Sequence, residues 1–213
     1  MLNIKTFQVN MLGVNCYIVS DETCEAVVID CGAYTQYEEQ TLARYIESEG
    51  LTIKHFLCTH MHFDHIFGNA FIAETYGVKP KFHAADQPLY TTMPAQVMNF
   101  LGQSYHKALP AVETYLTEND IIKFGNHELS VIHIPGHSPG GLVFYCAEEK
   151  VLFSGDSLFQ YSIGRTDLPG GDYRTLIENL TTKVLTLPQD VVVYPGHGGT
   201  TTISNEIQSN PYL

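Results

Sequence analysis

The densest chemistry in the sequence is Thr59-His60-Met61-His62-Phe63-Asp64-His65, of the form HxHxDH. Three imidazoles and a carboxylate fall within six positions. On a helix, His60 and His62 would point about 200° apart and could not share an ion. In a loop just past a strand, both can turn to one point. Asp64 and His65 are adjacent and can face a second point nearby. Imidazole and carboxylate are the usual ligands of zinc and similar ions. Residues 55–58 read as an apolar strand, so the motif is expected in a strand-end loop.

One cluster does not close two metal sites, but three later segments end in the same way. They are Val131-Ile132-His133-Ile134-Pro135-Gly136-His137, Val151-Leu152-Phe153-Ser154-Gly155-Asp156 and Val191-Val192-Val193-Tyr194-Pro195-Gly196-His197. Each places a ligand type directly after an apolar strand, and the glycine before it lets the backbone come close. A lone loop histidine or Gly-Asp pair carries little; four such segments in order carry the reading. His55, His83, His106 and His127 read as structural. His133, two positions before Pro135, is a candidate support for a ligand.

The elements that must present these residues are short β-branched runs at 17–20, 26–29, 53–57, 129–134, 142–146, 151–154 and 191–194, bounded by Gly, Pro, Asp or Asn. Helical spacing appears over 37–49, 69–76 and 173–185. Mixed strands and helices predict an α/β fold of sheets covered by helices. The stretch 84–110 carries Met93, Met98, Tyr90, Phe100 and Tyr105 without a strand signal, and reads as a helical insertion near the site or a helix pair on the core.

At 213 residues the chain is expected to be a single domain, 1–213, long enough to bury a sizeable core. A net charge of −12 argues against a nucleic-acid partner, since phosphate binding draws on clustered Lys and Arg. No apolar run reaches the length of a membrane span, and Met1 to Asn10 lacks the pattern of a signal peptide. The five cysteines are odd in number and lack a CxxC pair, the pattern of free thiols in a reducing compartment. A cytoplasmic protein is expected.

The order and spacing of HxHxDH, the later Gly-His, Ser-Gly-Asp and final Gly-His resemble the metallo-β-lactamase superfamily across almost the whole chain. That resemblance implies an αββα four-layer sandwich: two mixed β-sheets face to face, helices outside, metals at one edge. Ile163-Gly164-Arg165-Thr166-Asp167 and the ending Asn210-Pro211-Tyr212-Leu213 are similar to the short glyoxalase II-like, or hydroxyacylglutathione hydrolase-like, enzymes. Carried over, His60, His62 and His137 would hold one metal ion. Asp64, His65 and His197 would hold the other, with Asp156 bridging. The cofactor implied is two divalent ions, zinc first, with iron or manganese as alternatives. Asp30 stands in Asp30-Cys31-Gly32, where the family commonly has Asp-Pro-Gly, and could hydrogen-bond a ligand. The chain ends soon after His197, without the basic helical segment that binds glutathione in two-domain glyoxalase II.

Such a centre activates water and polarises a carbonyl. An acyl thioester suits it, because a thiol of pKa about 8.5 leaves as thiolate without a general acid. Asp64 and Asp156 are the candidate catalytic acids of the centre, with Asp64 placed to orient the nucleophile or take its proton. Arg165 is the candidate contact for a substrate carboxylate; pairing with Asp167 or Asp172 is its structural alternative. The expected partner is a small acyl thioester of the S-D-lactoylglutathione type. The alternatives are a mononuclear iron persulfide dioxygenase using His60, His137 and Asp156, a lactonase or other esterase of the same fold, and a non-catalytic metal-binding module recognising a partner through 84–110.

Overall fold

The computed structural model describes residues 1–112 and 114–213. Strands β1 (Asn3–Val9), β2 (Val14–Ser20), β3 (Glu25–Ile29), β4 (Thr52–Leu57), β5 (Pro80–His83) and β6 (Thr114–Leu116) form one sheet in sequence order. The first three are antiparallel, and β3 to β6 run parallel. A second sheet has the order β14-β13-β10-β9-β8-β7, built from β7 (Ile121–Phe124), β8 (His127–His133), β9 (Leu142–Cys146), β10 (Val151–Gly155), β13 (Val192–Pro195) and β14 (Thr201–Thr202). Only β10 and β13 are parallel there. A small hairpin, β11 (Leu158–Phe159) and β12 (Ser162–Ile163), stands beside it.

Alternation along each strand sorts the core into three layers. Tyr17, Val19, Val27, Ile29 and Leu57 face inward and meet Leu129, Val131, Leu142, Phe144 and Phe153 of the opposite sheet. Their neighbours Cys16, Ile18, Ala26, Val28 and Phe56 face outward, against Leu42 and Ile46 of helix α1 (Gln36–Ser48) and against Phe67 and Ile72. On the far side Val143, Leu152 and Val193 pack on Leu176, Leu180, Val184 and Ile203. This is the expected αββα sandwich of two mixed sheets. Strands covered on both faces read as continuous apolar runs, which is why β2, β3, β9 and β10 are visible in the sequence.

The helices follow local rules. Thr35 and Glu38 close a capping box at the start of α1, with Glu38 N donating to Thr35 Oγ1 at 3.3 Å and Thr35 N donating to Glu38 Oε2 at 2.8 Å. Of the 84–110 stretch, only 84–101 is helical: a short 3₁₀ turn, then α4 (Gln87–Thr91) and α5 (Met93–Leu101), with 102–110 outside any helix. The 173–185 helix is α-helical only over Tyr173–Asn179 (α6). It ends in a wider turn, with Leu185 N donating to Leu180 O at 2.9 Å, five residues back. The remaining helices are α2 (Phe63–Ile66), α3 (Asn69–Tyr76) and α7 (Ile203–Ser209). Among the described residues no helix is long and apolar enough to cross a membrane.

Candidate metal centre

Four strand ends converge on one edge of the sandwich. The segment after β4 carries His60 and His62 in a loop, His62 with extended backbone. Asp64 and His65 lie in the single turn of α2 rather than in the loop. The segment after β8 brings His137, the end of β10 brings Asp156, and the end of β13 brings His197. The two sheets are stitched at this edge. Leu142 N donates to Thr59 O at 2.8 Å, Asn15 N to Gly196 O at 2.8 Å, and the Tyr17 hydroxyl to Pro195 O at 2.6 Å. The Asn15 amide donates to Pro195 O and Gly198 O at 3.0 and 2.9 Å.

All seven sequence-identified side chains arrive together. His62 Nδ1 lies 2.9 Å from His137 Nε2, which is 3.2 Å from His60 Nε2. His197 Nε2 lies 3.4 Å and His65 Nε2 3.8 Å from Asp64 Oδ2. Ligand atoms of His60, His62 and His137 sit within 4.8 Å of one another, as do those of Asp64, His65 and His197. Between the groups, Asp156 Oδ1 is 3.3 Å from His65 Nε2, and Oδ2 is 3.6 Å from both His137 Nε2 and His197 Nε2.

The ring orientations are set from behind. His137 Nδ1 donates to Arg165 O at 2.7 Å, and His197 Nδ1 to Leu12 O at 3.1 Å. His65 Nδ1 meets Asp30 Oδ2 at 3.1 Å. The Thr59 hydroxyl donates to Asp30 Oδ2 at 2.6 Å, so its oxygen is left to accept from His60 Nδ1 at 3.0 Å. With protons drawn to those Nδ1 atoms, the Nε2 lone pairs face the centre. His62 presents Nδ1 instead. Lone pairs aimed at one another repel unless a cation lies among them. His65 Nε2 and Asp156 Oδ1 are also buried without a hydrogen-bond partner, a further sign that the donor set suits ions.

Electrostatics agree. Burial and the neighbouring histidines hold His60 well below the usual imidazole range, and push His62 down to about 3. Both are therefore neutral, the ligand form. At His65, burial works against charge but is outweighed by Asp156 and Asp64, and its pKa rises well above normal. At Asp156 burial favours the neutral acid, yet His65, His137 and His197 keep its carboxyl far below the ordinary range. Asp64 is depressed in the same way by His65 and His197. Positive charge is thus favoured among these carboxylates.

Close packing fixes the geometry. A Cβ at Gly196 would lie 2.2 Å from Asp156 Oδ1, so the residue before His197 must be glycine. Asp86 carried no signal in the sequence, yet it is fully buried behind the site. It accepts from Met61 N at 3.1 Å, Ser138 Oγ at 2.9 Å and Gly140 N at 2.6 Å, tying the HxHxDH loop to the loop of His137. Arg165 lines the cleft, but its guanidinium pairs with Asp167 at 2.8 and 2.7 Å. His133 bonds Pro139 O through Nε2 at 3.0 Å and stacks on His83, bracing the His137 loop from outside.

The arrangement defines the protein class. The metallo-beta-lactamase superfamily model matches residues 9–197, and the chain belongs to that superfamily of metal-dependent hydrolases. Among its relatives, the hydroxyacylglutathione hydrolase GloC of Haemophilus influenzae is 36% identical, with all of this chain and 98% of that protein covered. The solved structure of the BLEG-1 B3 metallo-beta-lactamase superposes with a TM-score of 0.89 at 36% identity, covering 100% of this chain and 99% of the other. The TTHA1623 protein, solved in a di-iron-bound form, superposes at 0.86 with 35% identity, covering 98% and 100%.

Proposed function

We propose that this protein is a dinuclear metal-dependent hydrolase that cleaves an acyl thioester of the S-D-lactoylglutathione type. The observation that carries the reading is the pair of ligand groups, His60/His62/His137 and Asp64/His65/His197, with the Asp156 carboxylate facing both. The second group is complete and also gathers its ligand atoms within 4.8 Å, which favours two ions over the single iron of a persulfide dioxygenase. Divalent ions held there, zinc first and iron or manganese next, would lower the pKa of water and polarise a carbonyl.

The chain's own residues supply the rest. The cleft beside the centre, about 320 Å³, is lined among the described residues by no Ser, Thr, Cys or Lys, which supports water as the nucleophile. Asp64 stays ionised and reaches toward His65 and His197, so it can orient that water or accept its proton. Phe63, Phe100, Leu12 and Leu168 wall the cleft and limit bulk water. An amine leaving group needs a general acid; a thiolate needs none. Five unpaired cysteines, four of them buried, fit a reducing compartment such as the cytoplasm.

The test is turnover. Protein loaded with zinc, iron or manganese should hydrolyse S-D-lactoylglutathione or a related thioester, and His62→Ala should lower kcat/KM at least 100-fold while the far-UV spectrum is retained. A loaded protein inert on a broad thioester panel overturns the assignment.

A further inference from the structure

A second cavity of about 220 Å³ adjoins the cleft and shares His62, Gln96, Phe100 and Leu168 with it. Its other walls are Leu89, Thr92, Ala95, Asn99 and Pro169, from α4, α5 and the loop after Asp167. Resting on the thioesterase reading, we infer that this lobe is the specificity pocket for an uncharged, apolar arm of the substrate, carried within a few carbons of the scissile carbonyl.

Three observations support it. First, the lobe has no Asp, Glu, Lys or Arg among its described lining residues. Glutathione carries two carboxylates and an ammonium, and would find no ion there. Arg165 is the only Lys or Arg among the described residues lining the cleft itself, and Asp167 already spans its guanidinium. Second, Gln96 and Thr92 of the wall spend their polar groups within the protein. Gln96 Nε2 donates to Leu89 O at 2.7 Å, and its Oε1 accepts from Phe63 N at 3.3 Å. The Thr92 hydroxyl donates to Pro88 O at 2.7 Å. What they offer a ligand is mostly carbon, and a carbon chain gains by leaving water for such a wall. Third, Phe100 and Leu168 belong to both cavities, so an arm can run from the reacting centre into the lobe along a shared wall. Phe100 stacks on Phe63 at 5.5 Å between ring centroids and stays half exposed, an apolar surface facing the opening.

The experiment uses the metal-loaded, full-length protein and two thioester series. One varies the acyl group from acetyl to hexanoyl on N-acetylcysteamine. The other keeps a lactoyl group and varies the thiol from methanethiol to hexanethiol, with glutathione included. In at least one series kcat/KM should rise roughly threefold per methylene, on the order of 100-fold over four, and the series that rises identifies which arm fills the lobe. Ala95 is exposed on α5, so Ala95→Trp fills the lobe and Ala95→Asp charges it without disturbing the core. Each should flatten the chain-length dependence to a few-fold or less. Calorimetry of S-hexyl and S-methyl thioethers of N-acetylcysteamine, which cannot be hydrolysed, reads the lobe separately from the chemistry. The hexyl ligand should bind at least tenfold more tightly in wild type and lose that advantage in both variants. If no thioester is cleaved but the hexyl preference holds, the thioesterase reading fails and the lobe stands. If both series are flat and both thioethers bind alike, or if neither Ala95 variant changes the slope, the lobe proposal is wrong.

Discussion

At the residue scale, the centre depends on side chains that do not touch the reacting atoms. Asp86 is the clearest case: one carboxylate satisfies Met61 N, Ser138 Oγ and Gly140 N, and so fixes both loops that carry His60, His62 and His137. Burial raises its pKa and those three donors only partly offset the rise. Asp86→Ala strands three buried donors, each costing about 1–3 kcal/mol when unpaired. The variant should lose at least about 3 kcal/mol in urea unfolding and bind metal about 10–100-fold more weakly. Asp86→Asn, which keeps an acceptor, should fall between it and wild type. Unchanged unfolding and metal affinity in Asp86→Ala would remove Asp86 from the account. The ligand types were legible in the sequence because four crowd into HxHxDH after an apolar strand and the other three each follow an apolar strand and a glycine. Asp86 was not, since its role exists only once β5 and the His137 loop lie side by side.

At the scale of elements, the sandwich is held at its far edge by a different cluster. Asp21 follows β2, His127 begins β8, and Glu149 lies in the turn between β9 and β10. His127 Nδ1 is 2.9 Å from Asp21 Oδ2 and its Nε2 3.0 Å from Glu149 Oε1, with the Met1 ammonium 3.3 Å from Glu149. Burial lowers the His127 pKa, but bonds to Asp21 and Glu149 outweigh it and raise it above 6.5. At Asp21 the Thr23 and Asn126 donors and His127 outweigh burial and hold the carboxyl far below 3.8. A raised histidine pKa gives stability that is complete below about pH 6.5 and lost as pH rises through the folded value. A depressed carboxyl gives stability that is complete above about pH 3.8 and lost as pH falls toward the folded value. His127→Gln should therefore lower Tm most near pH 5–6, with the difference from wild type shrinking as pH rises past neutrality. A Tm difference that grows with pH, or ignores it, would contradict this. The doubly covered strands and helices α1 and α3 were legible from pattern alone. Strand β1 was not, because the adjacent polar pair Lys5-Thr6 breaks the alternation of residues 3–9 at a mostly exposed sheet edge. Strand β5 opens on Pro80, and α2 is one turn, too short for a periodic signal.

At the scale of the molecule, two sheets from the two halves of the chain place their strand ends on one edge, and the centre forms only when both halves meet. His60 and His137 are 77 residues apart yet their Nε2 atoms lie 3.2 Å apart. The αββα arrangement was legible through resemblance, since composition and strand count alone fit several layered folds. The overall charge of −12 does not decide substrate charge, because divalent ions would dominate the local field. The apolar lobe was hidden in the sequence: α4, α5 and the 165–169 loop form it only in three dimensions. The central claim is that these distant loops gather two ions around Asp156, and elemental analysis of wild type beside Asp156→Ala tests it most directly. The account predicts two divalent ions per folded wild-type chain and loss of at least one in the variant, with its circular dichroism preserved. Fewer than one ion per wild-type chain after metal loading, or full occupancy in Asp156→Ala, would contradict it.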